Sequence, residues 1–229
     1  MLRGIRTPML ELKTYSDQIT DYIKTALLNG DLNPGDKVNE VRLAQALSIS
    51  RAPVREALQM LVKEGLILSI PQRGKFIRAL SPKEICDSYS MGGVLEGAAI
   101  AGSIKSFGEE DFALLEDLLT QMSALDETAP DYAEQFARLD IAFHDAMLSK
   151  TDNKLMVEQA RTVCQRVSKF LLFRHWPRAF THAEVVERHG KLLAILQLRS
   201  KPKIEAAIRE HYRELGARMA PFGRVNEEY

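Results

Sequence analysis

The sequence has few cysteines, no long hydrophobic run and no excess of either charge. Its two cysteines, Cys86 and Cys164, share no short-spacing motif. This excludes a disulfide-stapled fold, so we expect reduced thiols and a cytoplasmic location. No segment approaches the ~20 apolar residues that span a bilayer, and no apolar run near the N-terminus suggests a signal peptide. We therefore expect no membrane partner.

The neutral total conceals an uneven distribution of charge. Residues 1–80 contain 12 Lys/Arg and 8 Asp/Glu, whereas the remaining residues contain 19 and 23. A small basic front on an acidic back is typical of a polyanion-binding module attached to a separate body, although solvated faces also produce such differences by chance. With 229 residues, the chain is long enough for one small and one larger domain.

The first part of the chain predicts three helices followed by two short strands. Apolar side chains recur at helical spacing in 14–29 and 39–47, and a third helix begins at Ser50, a favourable N-cap. After Gly65, the letters LILSI, PQRG and KFIRA are typical of two strands joined by a tight turn. This order predicts a winged helix-turn-helix, to which we assign residues 1–79.

Two arginines, Arg51 and Arg55, lie four residues apart at the start of the third helix, away from its apolar side. Helix N-termini attract anions, and two neighbouring guanidiniums repel each other unless something negative lies close by. DNA offers phosphates and guanine edges as partners. The alternative is a solvated pair bridged to Glu56 or Asp36. The preceding short helix and the following wing favour DNA.

A specific set of motifs occupies residues 27–77: a G-x-L-x-P-G turn, L-A-x-x-L, S-R-x-P-V-R-E-A-L and an R-G wing tip. In this combination the stretch resembles the DNA-binding domain of GntR-family bacterial transcription regulators. The resemblance implies that Arg51 and Arg55 read bases and phosphates, and that Gly74 lets the wing approach the minor groove. The other DNA contacts that we expect are Arg42, Ser50, Pro53, Arg73 and Lys75.

From Ser81 onward the pattern is helical throughout. SPKE (81–84) predicts a capping box at the start of a long helix, and helical periodicity then runs through six segments. These segments are 82–105, 109–126, 131–149, 153–175, 180–198 and 202–219. Helices of such length predict an all-helical antiparallel bundle, so the fold is mainly α and residues 80–229 form the second domain.

Three histidines and an aspartate lie on or beside the apolar faces of three of these helices. Asp140 and His144 are four residues apart and project from one helical turn, whereas His189 and His211 belong to two later helices. Three neutral imidazoles and a carboxylate suit Zn²⁺, with Ni²⁺ or Mn²⁺ as alternatives, better than Ca²⁺ or Mg²⁺. Each histidine taken singly is also consistent with a hydrogen-bonded core residue.

The pattern D-x-x-x-H followed by single histidines on two later helices resembles the FCD domain of FadR-like GntR regulators. Asp140, His144, His189 and His211 match its four metal-ligand positions in order. The resemblance implies a divalent metal that holds a small carboxylate effector.

One position departs from that pattern. The group commonly has an arginine in R-x-x-L-E on the first long helix, and the run GGVLE places Gly92 there. An effector carboxylate then needs another arginine. The candidates are Arg138, Arg161 and Arg166, each of which is also consistent with a surface or interhelical charge.

The two domains together predict a ligand-responsive, DNA-binding transcription factor that represses. One recognition helix reads only a few base pairs, so we expect a homodimer on a pseudo-palindromic operator, with a small organic acid as effector. A metal-dependent enzyme and a direct metal sensor are the alternatives. We find no separate general base or nucleophile near the histidine motif, which disfavours the enzyme.

Overall fold

The computed structural model describes residues 13–163 and 169–224. Residues 13–80, here called the head, contain α1 (Tyr15–Asn29), β1 (Lys37–Val38), α2 (Glu40–Ala46), α3 (Arg51–Lys63), β2 (Ile67–Ile70) and β3 (Gly74–Ile77). Residues 81–224, here called the body, contain α4 (Pro82–Ser103), α5 (Glu109–Ser123), α6 (Tyr132–Leu148), α7 (Lys154–Ala160), α8 (Lys169–Leu172), α9 (Trp176–Ala179), α10 (His182–Gln197) and α11 (Lys201–Met219). The predicted fold, a winged helix-turn-helix followed by a helical domain, is confirmed.

The head is held together by one apolar face of α1 packed on one apolar face of α3. A capping box between Thr14 and Asp17 starts α1, and Gly30 ends it in the left-handed conformation. The buried side chains are Ile19, Ile23 and Leu27 of α1 and Val54, Leu58 and Leu61 of α3. Burial of each such side chain contributes roughly 1.5–3 kcal/mol, so this contact fixes the direction of α3.

The wing is a three-stranded antiparallel sheet in the order β1-β3-β2. In its hairpin Ile67 pairs with Ile77 and Ile70 with Gly74, and Gly74 has a φ of 110°, which favours glycine. Strand β1 was not predicted, because a strand of two residues is too short to show a periodic pattern. It pairs with β3 and ties the start of α2 to the wing.

Glycines allow α4 and α11 to approach closely along their length. A Cβ atom placed on Gly93 would lie 3.0 Å from the Tyr212 Cβ and 3.2 Å from the Arg209 Cα. On α11, Gly216 faces the backbone and side chain of α4 in the same way, with the Tyr89 Cβ at 3.3 Å. The helix-propensity cost of about 1 kcal/mol for Gly93 is therefore offset by close helix packing.

We expect Gly93→Ala to destabilise the protein by about 1–3 kcal/mol, because the added methyl group overpacks the contact with α11. Gly102→Ala is the matched control on the same helix, since a Cβ there meets no atom within 4 Å in the described part of the chain. It should leave stability unchanged or raise it by up to about 1 kcal/mol. Chemical denaturation of both variants measures the difference, and equal stabilities would contradict the packing argument.

The prediction of a single helix over 153–175 is wrong. Helix α7 ends at Ala160, residues 161–163 form a π-helical turn, and residues 169–179 form short helical turns of different types. Leu171, Leu172 and Phe173 are consecutive and all buried. They span the change from α8 to a 3-10 turn over Phe173–His175, so the segment does not continue as one regular helix. Sequence periodicity did not register this change.

The last described residues return to the junction between head and body. The Arg224 N–H donates to the Leu80 carbonyl at 2.9 Å, and the Phe222 ring stacks on His175 with centroids 4.6 Å apart. The Arg224 guanidinium lies beside Gly35 of the head. Among the helices of residues 13–163 and 169–224, none is long and apolar enough to cross a bilayer. Cys86 is a free thiol, and Cys164 lies outside the described residues.

Candidate functional site: a DNA-binding face and a buried histidine cluster

The N-terminal end of α3 presents the predicted arginine pair to solvent. The side chains of Arg51 and Arg55 are 58% and 57% exposed. Ser50 occupies the N-cap position with extended backbone, but within the described chain its side chain makes no capping hydrogen bond. Its hydroxyl is therefore available to a ligand. Pro53 is half-buried in the first turn.

A carboxylate that sequence reasoning missed holds the two arginines together. Glu40, the first residue of α2, accepts from Arg55 Nη2 at 2.9 Å and from Arg51 Nη2 at 3.2 Å. The hydrogen bond from Arg55 is the largest cause of the lowered pKa of Glu40, and burial opposes it. The partner is thus Glu40 and neither Glu56 nor Asp36. Ion pairs this exposed contribute at most about 1 kcal/mol, so DNA can replace them.

The wing adds further cations beside this end of the molecule. Arg73 and Gly74 are exposed at the wing tip and Lys75 is half-buried. Lys37 on β1, which the sequence did not single out, lies against Gly74, where a Cβ would be 3.2 Å from its Cε. Together with the start of α2, these residues line an open groove of about 540 Å³. The last predicted contact, Arg42, is exposed on α2.

In the body, α6, α10 and α11 bring the four predicted metal-binding residues together. Nitrogen atoms of His144, His189 and His211 all lie within 4.8 Å of one another. Asp140 Oδ1 is 2.9 Å from His189 Nε2 and 4.0 Å from His144 Nε2. Asp140, His144 and His189 are each at most 2% exposed. We call these four residues the histidine cluster.

Hydrogen bonds set which nitrogen of two of these imidazoles faces the cluster. His189 Nδ1 is 2.8 Å from the Val185 carbonyl oxygen, so Nδ1 carries the proton that is donated. His144 Nδ1 is 2.8 Å from Glu96 Oε2, a carboxylate that accepts its proton in the same way. Both Nε2 atoms are then left with a lone pair. This arrangement, with the outer nitrogen held by an oxygen, is typical of metal-binding histidines.

The residues present fit a divalent transition metal. His189 Nε2 and the Asp140 carboxylate are both acceptors at 2.9 Å, and within the described residues His189 Nε2 makes no hydrogen bond. Two acceptors at that distance need a cation between them. A proton would bridge only His189 and Asp140. A metal ion would bind the lone pairs of all three converging imidazoles as well as the carboxylate.

The third imidazole is kept neutral. Burial is the main cause that holds the pKa of His211 well below its usual range, and the neighbouring His189, Arg188 and His144 lower it further, while Asp140 opposes them. A neutral imidazole is the form that binds a metal. Tyr212, the next residue, places its hydroxyl 3.2 Å from His144 Nδ1.

Two more residues beside the cluster were missed by sequence reasoning. Glu96, which orients His144, is fully buried, and among the described residues its Oε1 has no hydrogen-bond partner. It is the glutamate of GGVLE, so that motif was its signal. Arg188 donates to the His211 carbonyl at 2.8 Å and forms an ion pair with Glu214. Its position next to His189 in the sequence was the only clue.

Two of the three arginines expected to replace the one absent at position 92, Arg138 and Arg161, lie outside the histidine cluster. Arg138 is exposed on α6. Arg161 donates to Asp145 at 2.8 Å and is 39% exposed, so it serves as an interhelical charge. Arg166 lies outside the described residues. Gly92 is buried within α4. Among the described residues, the guanidinium that touches the cluster is that of Arg188.

A winged helix-turn-helix with paired arginines, joined to a helical body with a buried polar cluster, defines a DNA-binding regulator with a ligand-binding domain. Residues 15–77 match the family model of the bacterial regulatory proteins of the gntR family. Residues 87–214 match the FCD domain. The chain belongs to the GntR family of bacterial transcription regulators, in the group that has an FCD domain.

Similar proteins agree with this assignment. The Nta operon transcriptional regulator of Aminobacter aminovorans is 28% identical over 179 residues. The match covers 78% of this chain and 81% of that regulator. The HTH-type transcriptional repressor RspR of Escherichia coli K12 is 22% identical. The match covers 98% of this chain and 97% of the RspR chain. These relatives are regulators and not enzymes.

Solved structures show the same fold. The structure of McbR/YncC from E. coli superposes with a TM-score of 0.72 at 22% identity, over 89% of this chain and 96% of the other. A putative GntR regulator from Rhodococcus sp. RHA1 superposes with a TM-score of 0.70 at 22% identity. The match covers 91% of this chain and 99% of the Rhodococcus chain. At this level of identity, the likeness supports the fold alone.

Proposed function

We propose that this regulator is a metal-loaded repressor that binds its operator as a homodimer in the cytoplasm and responds to a small organic acid. The observation that carries the proposal is the pair of acceptors, His189 Nε2 and Asp140 Oδ1, 2.9 Å apart among converging imidazoles. Two acceptors this close together favour a cation bound between them. The guanidinium of Arg188 beside it, whose side chain is 11% exposed, suits an anion.

The histidine cluster would hold the metal through one carboxylate and three imidazoles. Zn²⁺ suits this donor set best, and Ni²⁺ or Mn²⁺ are alternatives. The bound ion would supply positive charge and an open coordination position for an effector carboxylate. Glu96 and the Val185 carbonyl orient two of the ligands, so both belong to the machinery of the site.

Arg188 is the protein's own group for the effector. Trp176, Phe180, Arg188, His189 and His211 line a cavity of about 10 Å³, which has room for one water molecule. An acid that enters must therefore displace side chains. The Arg188 guanidinium can exchange Glu214 for the effector's carboxylate, because both are bidentate acceptors of the same kind.

The signal would travel along α4. This helix starts at the junction with the head, packs along α11, and carries Glu96 at the cluster. An effector changes DNA affinity only if it binds the DNA-competent arrangement and the incompetent one unequally, with a coupling of typically 1–3 kcal/mol. A small shift of α4 would change the spacing of the two heads in a dimer.

A titration of operator binding with hydroxy, keto and sugar acids tests this proposal. An operator duplex selected from random sequences is bound by metal-loaded and by metal-stripped protein. We expect an active acid to change DNA affinity by about 5- to 150-fold with metal present and not without it. Arg188→Ala should abolish the response, whereas Arg138→Ala, at the exposed site, should retain it. An acid that acts equally well on stripped protein would contradict the mechanism.

The small size of the cavity at the cluster favours one alternative, in which the metal itself is the signal. In that case, metal loading alone would change operator affinity, and no acid in the panel would change it further. The same titration therefore separates the two functions.

A further inference from the structure

A second, larger cavity lies where the head meets the body. Its volume is about 480 Å³, within the range of small-molecule sites. Leu28 and Asn29, at the end of α1, form its head side. Its body side is mostly aromatic and includes Tyr132, Phe136, Phe173, Trp176 and His182. We call this space the junction cavity.

The walls of the junction cavity favour a planar aromatic occupant. The Phe173 ring stacks on Trp176 with centroids 5.3 Å apart, and Phe136 meets Trp176 edge to face at 6.2 Å. Rings held in both orientations offer a flat guest stacking and edge contacts. A saturated guest of the same size would gain burial alone.

Two buried nitrogen atoms in the wall lack hydrogen-bond partners in the described structure. Trp176 is 6% exposed, yet within residues 13–163 and 169–224 its indole N–H has no acceptor. His182 Nε2 is also buried without a hydrogen bond in the described structure, while its Nδ1 contacts the Tyr132 hydroxyl at 2.9 Å. A buried polar group without a partner costs about 1–3 kcal/mol, which a polar group of the occupant would recover. For Trp176 that group is an acceptor, since the indole N–H only donates.

A cation in the same wall indicates an acid. Arg174 lines the junction cavity and is half-buried. It forms no ion pair in the described part of the chain, and its Nε donates to His175 Nε2 at 3.2 Å. Burial is the main cause that lowers the pKa of Arg174 and Arg224 adds to it, while Asp36 of the head opposes them. Glu127, also in the wall, is exposed and makes no ion pair with Arg174 there. A guanidinium in this position suits a carboxylate.

We propose that the junction cavity is a second effector site, which binds a planar aromatic carboxylic acid with its rings against the wall formed by Phe136, Phe173 and Trp176 and its carboxylate on Arg174. This inference goes beyond the proposed function, because the site does not include the histidine cluster. Trp176, Phe180 and Val185 form a shared wall between the two. Binding in the junction cavity therefore needs no metal.

The head side of the junction cavity connects it to DNA binding. Leu28 belongs to α1, whose apolar face packs on α3. Lys24 of the same helix pairs with Glu64, just after α3, at 2.8 Å, and lies over the Phe170 ring of α8 at 5.5 Å. A ligand bound between Leu28 and Trp176 would change the position of α1 on the body, and α3 would move with α1.

Calorimetric titration of the full-length protein with 2-naphthoate tests the site, with neutral 2-naphthol and cyclohexanecarboxylate as comparison probes. Trp176 is the single tryptophan of the chain, so its fluorescence reports binding directly. Ala133→Phe fills the junction cavity from α6, and Ala113→Phe is the matched control at an exposed site. His144→Ala removes a cluster residue, and Arg174→Gln removes the cation.

We expect wild type, Ala113→Phe and His144→Ala to bind 2-naphthoate equally, and Ala133→Phe to lose binding. Arg174→Gln should weaken 2-naphthoate about tenfold and leave 2-naphthol unchanged. Cyclohexanecarboxylate should bind more weakly than 2-naphthoate to wild type. If Ala133→Phe does not fold, Arg174→Gln decides the question.

Three results would overturn the site: no binding of 2-naphthoate to wild type, equal binding to folded Ala133→Phe, or loss of binding in folded His144→Ala. The last would assign the probe to the histidine cluster. Failure of the metal-dependent acid response, by contrast, would leave this titration unchanged. The same probe added to the operator complex should change DNA affinity, and an unchanged affinity would overturn the link to α1.

Discussion

Chelation of the metal that we propose for the histidine cluster will lower the melting temperature of the wild-type protein by roughly 10 °C. A ligand that binds only the folded state adds about 4 kcal/mol at a thousandfold excess over its Kd, and 1 kcal/mol shifts the midpoint of a domain this size by about 2–4 °C. The ion would join α6, α10 and α11 through the histidine cluster. Scanning calorimetry with and without a chelator measures the effect.

Single substitutions separate this effect from simple loss of packing. His144→Ala, His189→Ala and His211→Ala should each remove most of the metal and also most of the chelator-induced shift in melting temperature. His175→Ala should retain both, because His175 stacks on Phe222 outside the cluster. The comparison uses the shift and not the absolute midpoint, since removing a buried imidazole destabilises the fold by itself. Elemental analysis without stoichiometric divalent metal after supplementation would return these histidines to the role of core residues.

Replacing Arg55 by alanine will weaken operator binding on the order of tenfold to a hundredfold and relax selectivity at one base pair. The reason is that a guanidinium at the N-terminal end of α3 can reach a guanine edge with two hydrogen bonds. Arg55 is held for this role by Glu40 in the free protein. Fluorescence anisotropy at fixed salt, on the selected operator and on single-base variants of it, measures both effects.

Lys75→Ala is the informative comparison for Arg55→Ala. A wing lysine that contacts phosphate contributes equally on every sequence, so its loss should weaken binding uniformly and reduce the salt slope by about one. Glu56→Ala, at an exposed position in the same helix, should change neither property. Unchanged affinity and selectivity in Arg55→Ala would mean that α3 does not dock as proposed.

The head was predictable from its sequence because its signals are local. Turn residues, the cap position at Ser50 and short periodic runs each act within a few residues, and they place α2, α3 and the hairpin correctly. The partner of the arginine pair was not predictable. Glu40 lies 11 residues before Arg51 and meets it only through the turn between α2 and α3, so no spacing rule marks it.

The body was predictable in most of its helices and in the four cluster residues. The spacing of Asp140 and His144 follows from 3.6 residues per turn, and the resemblance to the FCD pattern added His189 and His211. The groups around them were not predictable, because Glu96 and Arg188 reach the cluster from helices far apart in the chain. The segment after α7 was mispredicted, since its residues give no local signal for the change from α-helix to π-helical and 3-10 turns. The junction cavity depends on how α1 meets the body, which no local pattern encodes.

The bond between Arg224 and Leu80 has a consequence for the order in which the protein is made. A chain folds from its N-terminus during synthesis, domain by domain. The head, complete by Leu80, can form while the body is still being translated. The hydrogen bond to Leu80 forms only after Arg224 has left the ribosome, since that residue supplies the N–H, whereas α1 can meet α6 and α8 earlier. A nascent or prematurely terminated chain would therefore carry a folded DNA-binding head before this last contact between head and body exists.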